Sequence, residues 1–177
     1  MSFEVVAVPE FAPNDLEWIV RMRRSRAGNK GPPYFTLVFP GSDLDAPHYT
    51  AQVKAVARQV KRIRFRLRSA MVVPDPQVQS FHVFLVPDEG FSTIIRLHER
   101  LHGGALSVCQ RLDMPYIPHL TIASERDIDT ARSVASGLNA KDIAISGRID
   151  SLVIQRREGE VVKLIGKHDL ASGGLFG

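Results

Sequence analysis

The chain has 177 residues, of which 44% are apolar and 24% charged, ordinary usage for a folded domain with a core of its own. A single cysteine, Cys109, excludes an intrachain disulfide framework and a cysteine-based zinc cluster, and no apolar run approaches the roughly 18 residues of a membrane span. The first ten residues carry two acids and no base, unlike a secretory signal, so the expected setting is the reducing cytoplasm.

The net charge of +4 is unevenly spread. Residues 1–70 hold 12 Lys and Arg against 6 Asp and Glu, and the remainder holds 11 against 13. The excess lies in two runs, Arg21, Arg23, Arg24, Arg26 and Lys30, then Arg58, Lys61, Arg62, Arg64, Arg66 and Arg68. Such a field attracts phosphates or nucleic acid; a solvated face is the equal alternative.

In chain order, Phe3–Val8 is a short apolar strand stopped by Pro9. Asn14 then caps a helix to Arg26, and turn residues fill Gly28–Pro33. Tyr34–Phe39 is a strand of aromatic and β-branched residues. Asp45 before Pro47 signals the start of a helix that reaches Arg62. From Ile63 the pattern alternates, with Ile63, Phe65 and Leu67 on one face and Arg64, Arg66 and Arg68 on the other, a strand running to Val73. Gln79–Val86 is a strand, Phe91–Leu101 a helix and Ile117–Ala123 a strand. A helix starting at Ser124 or Asp127 runs to Leu138. Ile143–Gln155 and Glu160–Ile165 pair as a hairpin around Glu158-Gly159, and the glycine-rich 171–177 reads as a flexible tail.

The order repeats. Val8-Pro9-Glu10 and Val86-Pro87-Asp88 each close a strand before a helix, and Pro33-Tyr34-Phe35-Thr36 corresponds to Pro118-His119-Leu120-Thr121. A strand-helix-strand-helix-strand unit occurs twice, which implies repeated structure. The expected fold is α+β with two pseudo-symmetric lobes, about 1–75 and 76–170. Each lobe is a small, mainly antiparallel sheet with outer helices, and a groove lies between the lobes. Residues two apart on a strand share a face. Tyr34 with Thr36, and His119 with Thr121, therefore converge on the groove as an imidazole and hydroxyls suited to phosphate oxygens.

These features resemble the 2H phosphoesterase superfamily, which includes bacterial 2′-5′ RNA ligase-like proteins and cyclic phosphodiesterases. The resemblance covers roughly Phe3 to Ile165 and rests on the Pro118-His119-Leu120-Thr121 stretch, its counterpart at Tyr34-Phe35-Thr36 and the repeat. It implies two His-x-Thr motifs. The histidines act as general base and acid on a 2′,3′-cyclic or 2′,5′ phosphodiester, and the threonines hold the phosphate. It also implies no metal and no other cofactor, and a monomeric protein whose partners are RNA ends or cyclic nucleotides. His119, Thr121 and Thr36 match; Tyr34 stands where the first histidine belongs. A phenol, with a reference pKa near 10 against about 6.5 for imidazole, is a poor base near neutrality. Three readings follow: an altered enzyme with His119 as base and Tyr34 as acid, recruitment of another group, or a non-catalytic binder of RNA or nucleotides.

His82 is the candidate substitute base, with a structural histidine as the alternative; its strand is apolar on both sides, so the pattern does not fix which face it takes. Arg64, Arg66 and Arg68 are candidates for a phosphate-binding strip, and Tyr116 for stacking on a base. His48-Tyr49-Thr50 spells the motif too, but in the first turn of a helix, where residues two apart diverge. His98 and His102 lie four apart on a helix, as a pair of metal ligands would, with no third ligand in view. There is no P-loop, dinucleotide fingerprint or serine-hydrolase elbow.

Overall fold

The computed structural model describes residues 2–28, 31–40, 44–159 and 161–172. Its strands are β1 (Ser2–Ala7), β2 (Glu10–Phe11), β3 (Phe35–Val38), β4 (Ile63–Asp75), β5 (Ser80–Glu89), β6 (Leu120–Glu125), β7 (Ile145–Ile149), β8 (Ser151–Glu158) and β9 (Val161–Asp169). The helices are α1 (Pro13–Arg26), α2 (Ala46–Ala57), α3 (Phe91–Leu101) and α4 (Ile128–Asn139), and a 3-10 helix spans Gly104–Cys109. The α+β class and the two antiparallel sheets agree with the sequence pattern.

One sheet has the order β3-β1-β8-β9 and the other β2-β7-β4-β5-β6. Each sheet draws strands from both halves of the chain, so the boundary expected near residue 75 does not coincide with the boundary between sheets. The long β4 leaves the first half to pair with β5 and β7 in the second sheet. The stretch 143–155, expected as one strand, is two. β7 pairs with β4, the chain turns at Asp150, and β8 pairs with β1 in the other sheet. Asp150 anchors that crossing through Arg148 at 2.7 Å and by accepting the Leu170 N–H on its carbonyl at 2.8 Å.

Local chemistry explains the ends of the helices. α1 begins one residue before the expected Asn14 cap, because Pro13 fits a first-turn position whose N–H has no helical partner. Asp45 and Asp127 cap α2 and α4 by accepting the backbone N–H of His48 and Thr130. His48 thus belongs to a helix cap, exposed and paired with Asp45. Ala171 bonds to Ala57 and Val60, so the chain is tied down there, and 173–177 lies outside the described residues.

The two sheets share one core. Phe65 of β4 meets Phe35 of β3 edge-on at 5.0 Å and Phe11 of β2 at 5.7 Å. Beyond Leu67, β4 has lost β7 as a neighbour, and a side chain replaces the missing strand. Asn139 accepts the Ala70 N–H at 2.7 Å and donates to the Ala70 carbonyl at 2.9 Å. Replacing Asn139 with Ala leaves two backbone groups of a buried residue without partners. The expected cost is about 2 kcal/mol, read as a lower urea midpoint at unchanged slope; an unchanged midpoint would contradict it.

Candidate functional site

Thr36 lies on β3 and Thr121 on β6, which are edge strands of different sheets. The cleft between them has a volume of about 570 Å³, within the range of small-molecule sites. Thr36, Thr121, His119, His82 and Tyr116 all line it. Arg23 of α1 donates to the Thr121 carbonyl at 3.2 Å, and His98 of α3 reaches the Leu37 carbonyl at 2.8 Å. Each motif strand is therefore held by a helix from the other half of the sequence, as a pseudo-two-fold requires.

His119 is locked in orientation. Its Nδ1 lies 2.6 Å from the Ile117 carbonyl, which can only accept, so Nδ1 carries the proton and Nε2 keeps a bare lone pair. One ring face stacks on Phe84, centroids 3.5 Å apart and planes within 11°. Burial, opposed by the Ile117 bond and reinforced by the nearby His82, pushes the His119 imidazole down to about 4. Near neutral pH it is an uncharged acceptor. Phe84 also stacks with His82, at 6.1 Å and 7°. The two imidazoles thus stand on one wall, under about 10 Å apart. His82 Nε2 bonds Asp75 Oδ2 at 3.2 Å, and Asp75 Oδ1 accepts the Gln77 N–H at 3.0 Å. Burial opposes ionisation of Asp75, but these bonds prevail and hold its carboxyl below the ordinary value.

Tyr34 is not among the residues lining the cleft. Its ring lies under the Arg23 guanidinium, 5.6 Å from the centroid, and its hydroxyl interacts with Arg157. Arg64, Arg66 and Arg68 do not line it either. They sit at the far end of β4, Arg68 about 17 Å along the strand from Val73. Arg68 is paired with Asp88 and Glu89, both at 2.9 Å, and Arg66 faces Glu89 at 3.8 Å. Two of the three arginines of the strip, Arg66 and Arg68, are thus ion-paired. Tyr116 does line the cleft, but one ring face is taken by His98, at 3.7 Å and 3°, and its hydroxyl donates to the Thr36 carbonyl at 3.0 Å. Burial raises the Tyr116 phenol, so it stays a donor that fixes the motif strand.

Three participants were missed in the sequence. Phe84 sits in an apolar strand with no motif to mark it. Arg23 lay inside a basic run yet is only 3% exposed. The spacing of His98 and His102 suggests a metal pair, but His98 Nδ1 is committed to the Leu37 carbonyl, and His102 Nδ1 to the His98 carbonyl at 2.8 Å. Among the described residues no three His, Cys, Asp or Glu side chains gather as a metal set.

Burial that keeps His119 and His98 neutral has a consequence for stability. Between about pH 6.5, the unfolded value, and about 4 for folded His119, the unfolded chain binds the extra proton. Stability is therefore highest above that window and falls as pH drops through it. Urea midpoints across this range should decline more steeply in the wild type than in His119→Asn, and parallel curves would contradict the burial argument.

No helix among the described residues is long and apolar enough to cross a membrane. A search of curated proteins by sequence returned no match. Solved structures do resemble the fold. LigT of Escherichia coli superposes with a TM-score of 0.58 at 14% identity, covering 97% of this chain and 98% of that one. Its complex with 3′-AMP gives 0.54 at 15% identity, covering 97% and 100%. Usb1 of Kluyveromyces marxianus gives 0.56 at 9% identity, covering 93% and 97%. The 2′-5′ RNA ligase superfamily model matches residues 11–160, spanning both motif strands. The chain belongs to the 2′-5′ RNA ligase superfamily.

Proposed function

We propose that this protein is a phosphodiesterase, acting without a metal and as a monomer, that opens 2′,3′-cyclic or 2′,5′ phosphodiesters of nucleotides or RNA ends. The observation that carries the reading is the convergence of Thr36, Thr121 and His119 on one cleft from the edges of two sheets. The threonine hydroxyls donate to the non-bridging phosphate oxygens. His119 Nε2 takes the proton of the attacking water as the new P–O bond forms. Nucleotide complexes of LigT and Usb1, with 3′-AMP and uridine monophosphate, support a nucleotide as the ligand.

The leaving oxygen needs a second proton-transfer group. Tyr34, the positional heir of the first motif histidine, is turned toward Arg23 and Arg157. His82 lines the cleft beside Asp75, which its Nε2 bonds, and takes that role in this reading. His82→Ala should lower kcat by about 10²-fold with little change in KM, whereas Tyr34→Phe should stay within about threefold of wild type. The reverse pattern would return the role to Tyr34.

A second reading rests on the same Tyr34: a non-catalytic relative that holds nucleotides in this cleft. Single-turnover assays of chelator-treated protein on 2′,3′-cyclic nucleotides and a 2′,5′-linked oligonucleotide decide between the two. Conversion to a ring-opened or cleaved product supports the enzyme; tight binding without conversion overturns it in favour of the binder.

A further inference from the structure

The charged groups of the cleft are few, and they do not suit a polyanion. Among the described residues its lining holds one guanidinium, Arg111, and two carboxylates, Asp75 and Asp113. Arg111 is already committed. Its Nε donates to Asp113 Oδ1 at 3.0 Å and its Nη2 bonds Oδ2, a two-pronged pair that uses the planar fork. The Arg111 bond holds the Asp113 carboxyl below its ordinary value, as His82 and Gln77 help to do for Asp75, so both acids are anionic.

The described residues of the two basic runs do not make up the deficit, because none of them lines the cleft. Arg23 is buried against backbone carbonyls, Arg26 pairs with Glu125 at 3.2 Å, and Arg66 and Arg68 face Asp88 and Glu89. An apolar side chain, Met114, also lines the cleft. Leu112 is 88% exposed and Met114 41% exposed on the segment that carries Arg111 and Asp113. Nucleic-acid grooves combine aromatic platforms with unpaired Lys and Arg that follow successive phosphates, and this cleft lacks the second half of that combination.

We propose that the cleft selects a small substrate with a single phosphodiester, a 2′,3′-cyclic mononucleotide or a cyclic phosphate of like size, and discriminates against RNA chains. The inference rests on the phosphate position assigned above. The one anionic group meets the Thr36 and Thr121 hydroxyls, the organic part packs against Met114, and each further phosphate approaches the Asp75 and Asp113 carboxylates. That repulsion is screened by salt.

The test compares a 2′,3′-cyclic mononucleotide with a tetranucleotide ending in the same cyclic phosphate, by kcat/KM and by equilibrium binding, at low and at physiological salt. The mononucleotide should be favoured by about tenfold at low salt, with the ratio shrinking as salt rises. Asp113→Asn removes one anion and frees Arg111. It should raise kcat/KM for the tetranucleotide about fivefold and leave the mononucleotide within about twofold. A preference for the tetranucleotide, with binding that weakens steeply with salt as counterion release demands, would overturn the proposal. Equal binding of the two ligands in wild type and Asp113→Asn would also overturn it. A protein that prefers the mononucleotide in binding but converts neither ligand keeps the selectivity and refutes the proposed reaction, so the two failures are distinguishable.

Discussion

Replacing His119 with Ala is expected to reduce single-turnover rates on a cyclic nucleotide by about 10²- to 10⁴-fold, the usual loss when a positioned base is removed. The geometry makes the expectation specific. The Ile117 carbonyl holds the Nδ1 proton, Phe84 fixes the ring plane, and Nε2 is the only nitrogen left to accept. Burial keeps that ring uncharged down to about pH 4. The acid limb of the pH–rate profile should therefore lie near 4 and disappear with the residual activity of the variant. A limb near 6.5 that survives in His119→Ala would identify another imidazole as the base, with His82 the first to test. Far-UV spectra and urea midpoints must show the variant folded for the comparison to count.

Arg23→Met is expected to have the largest structural effect. The guanidinium is 3% exposed, donates to the Thr121 carbonyl at 3.2 Å and the Gly31 carbonyl at 2.7 Å, and covers the Tyr34 ring. Burial pulls its pKa below the usual arginine value, with Tyr34 opposing, yet the group remains a cation. A buried charge is stabilising only when its hydrogen bonds are made, and here both acceptors are backbone. Methionine fills much of the volume but leaves the Thr121 carbonyl without this donor. At about 1.5–3 kcal/mol for each hydrogen bond to a charged group, offset in part by the cheaper burial of methionine, the net loss should be about 3 kcal/mol. Because Thr121 is one of the proposed phosphate holders, KM should also rise about tenfold. Wild-type stability together with wild-type KM would show that the α1 strap is incidental to the site.

The parts of the fold set by local chemistry could be read directly. Alternation at Ile63–Arg68 marked β4, capping aspartates marked α2 and α4, and Pro118-His119-Leu120-Thr121 marked the strand that carries the site. The parts set by distant partners could not. β7 and β8 are apolar on both sides of Asp150, so nothing local distinguished one long strand from two strands in different sheets. Arg64, Arg66 and Arg68 form an obvious basic stripe, but the acids that pair with Arg66 and Arg68, Asp88 and Glu89, lie some twenty residues away and meet them only after β4 and β5 pair. His82 was ambiguous because Phe81, Val83 and Phe84 make its strand apolar throughout. Only the pairing of β5 with β4 and β6 brings it beside Phe84 and His119 on one wall. Tyr34 corresponds to His119 in the repeat, but it does not line the cleft, and its contacts with Arg23 and Arg157 depend on α1 and β8.

The most direct test of the account is a crystal structure of the protein with a nucleoside 2′- or 3′-monophosphate. The expected complex has the phosphate between the Thr36 and Thr121 hydroxyls, within hydrogen-bond reach of His119 Nε2, with the base near Met114 and His82 on the leaving-oxygen side. A phosphate bound along Arg64, Arg66 and Arg68, with the cleft unchanged, would contradict it.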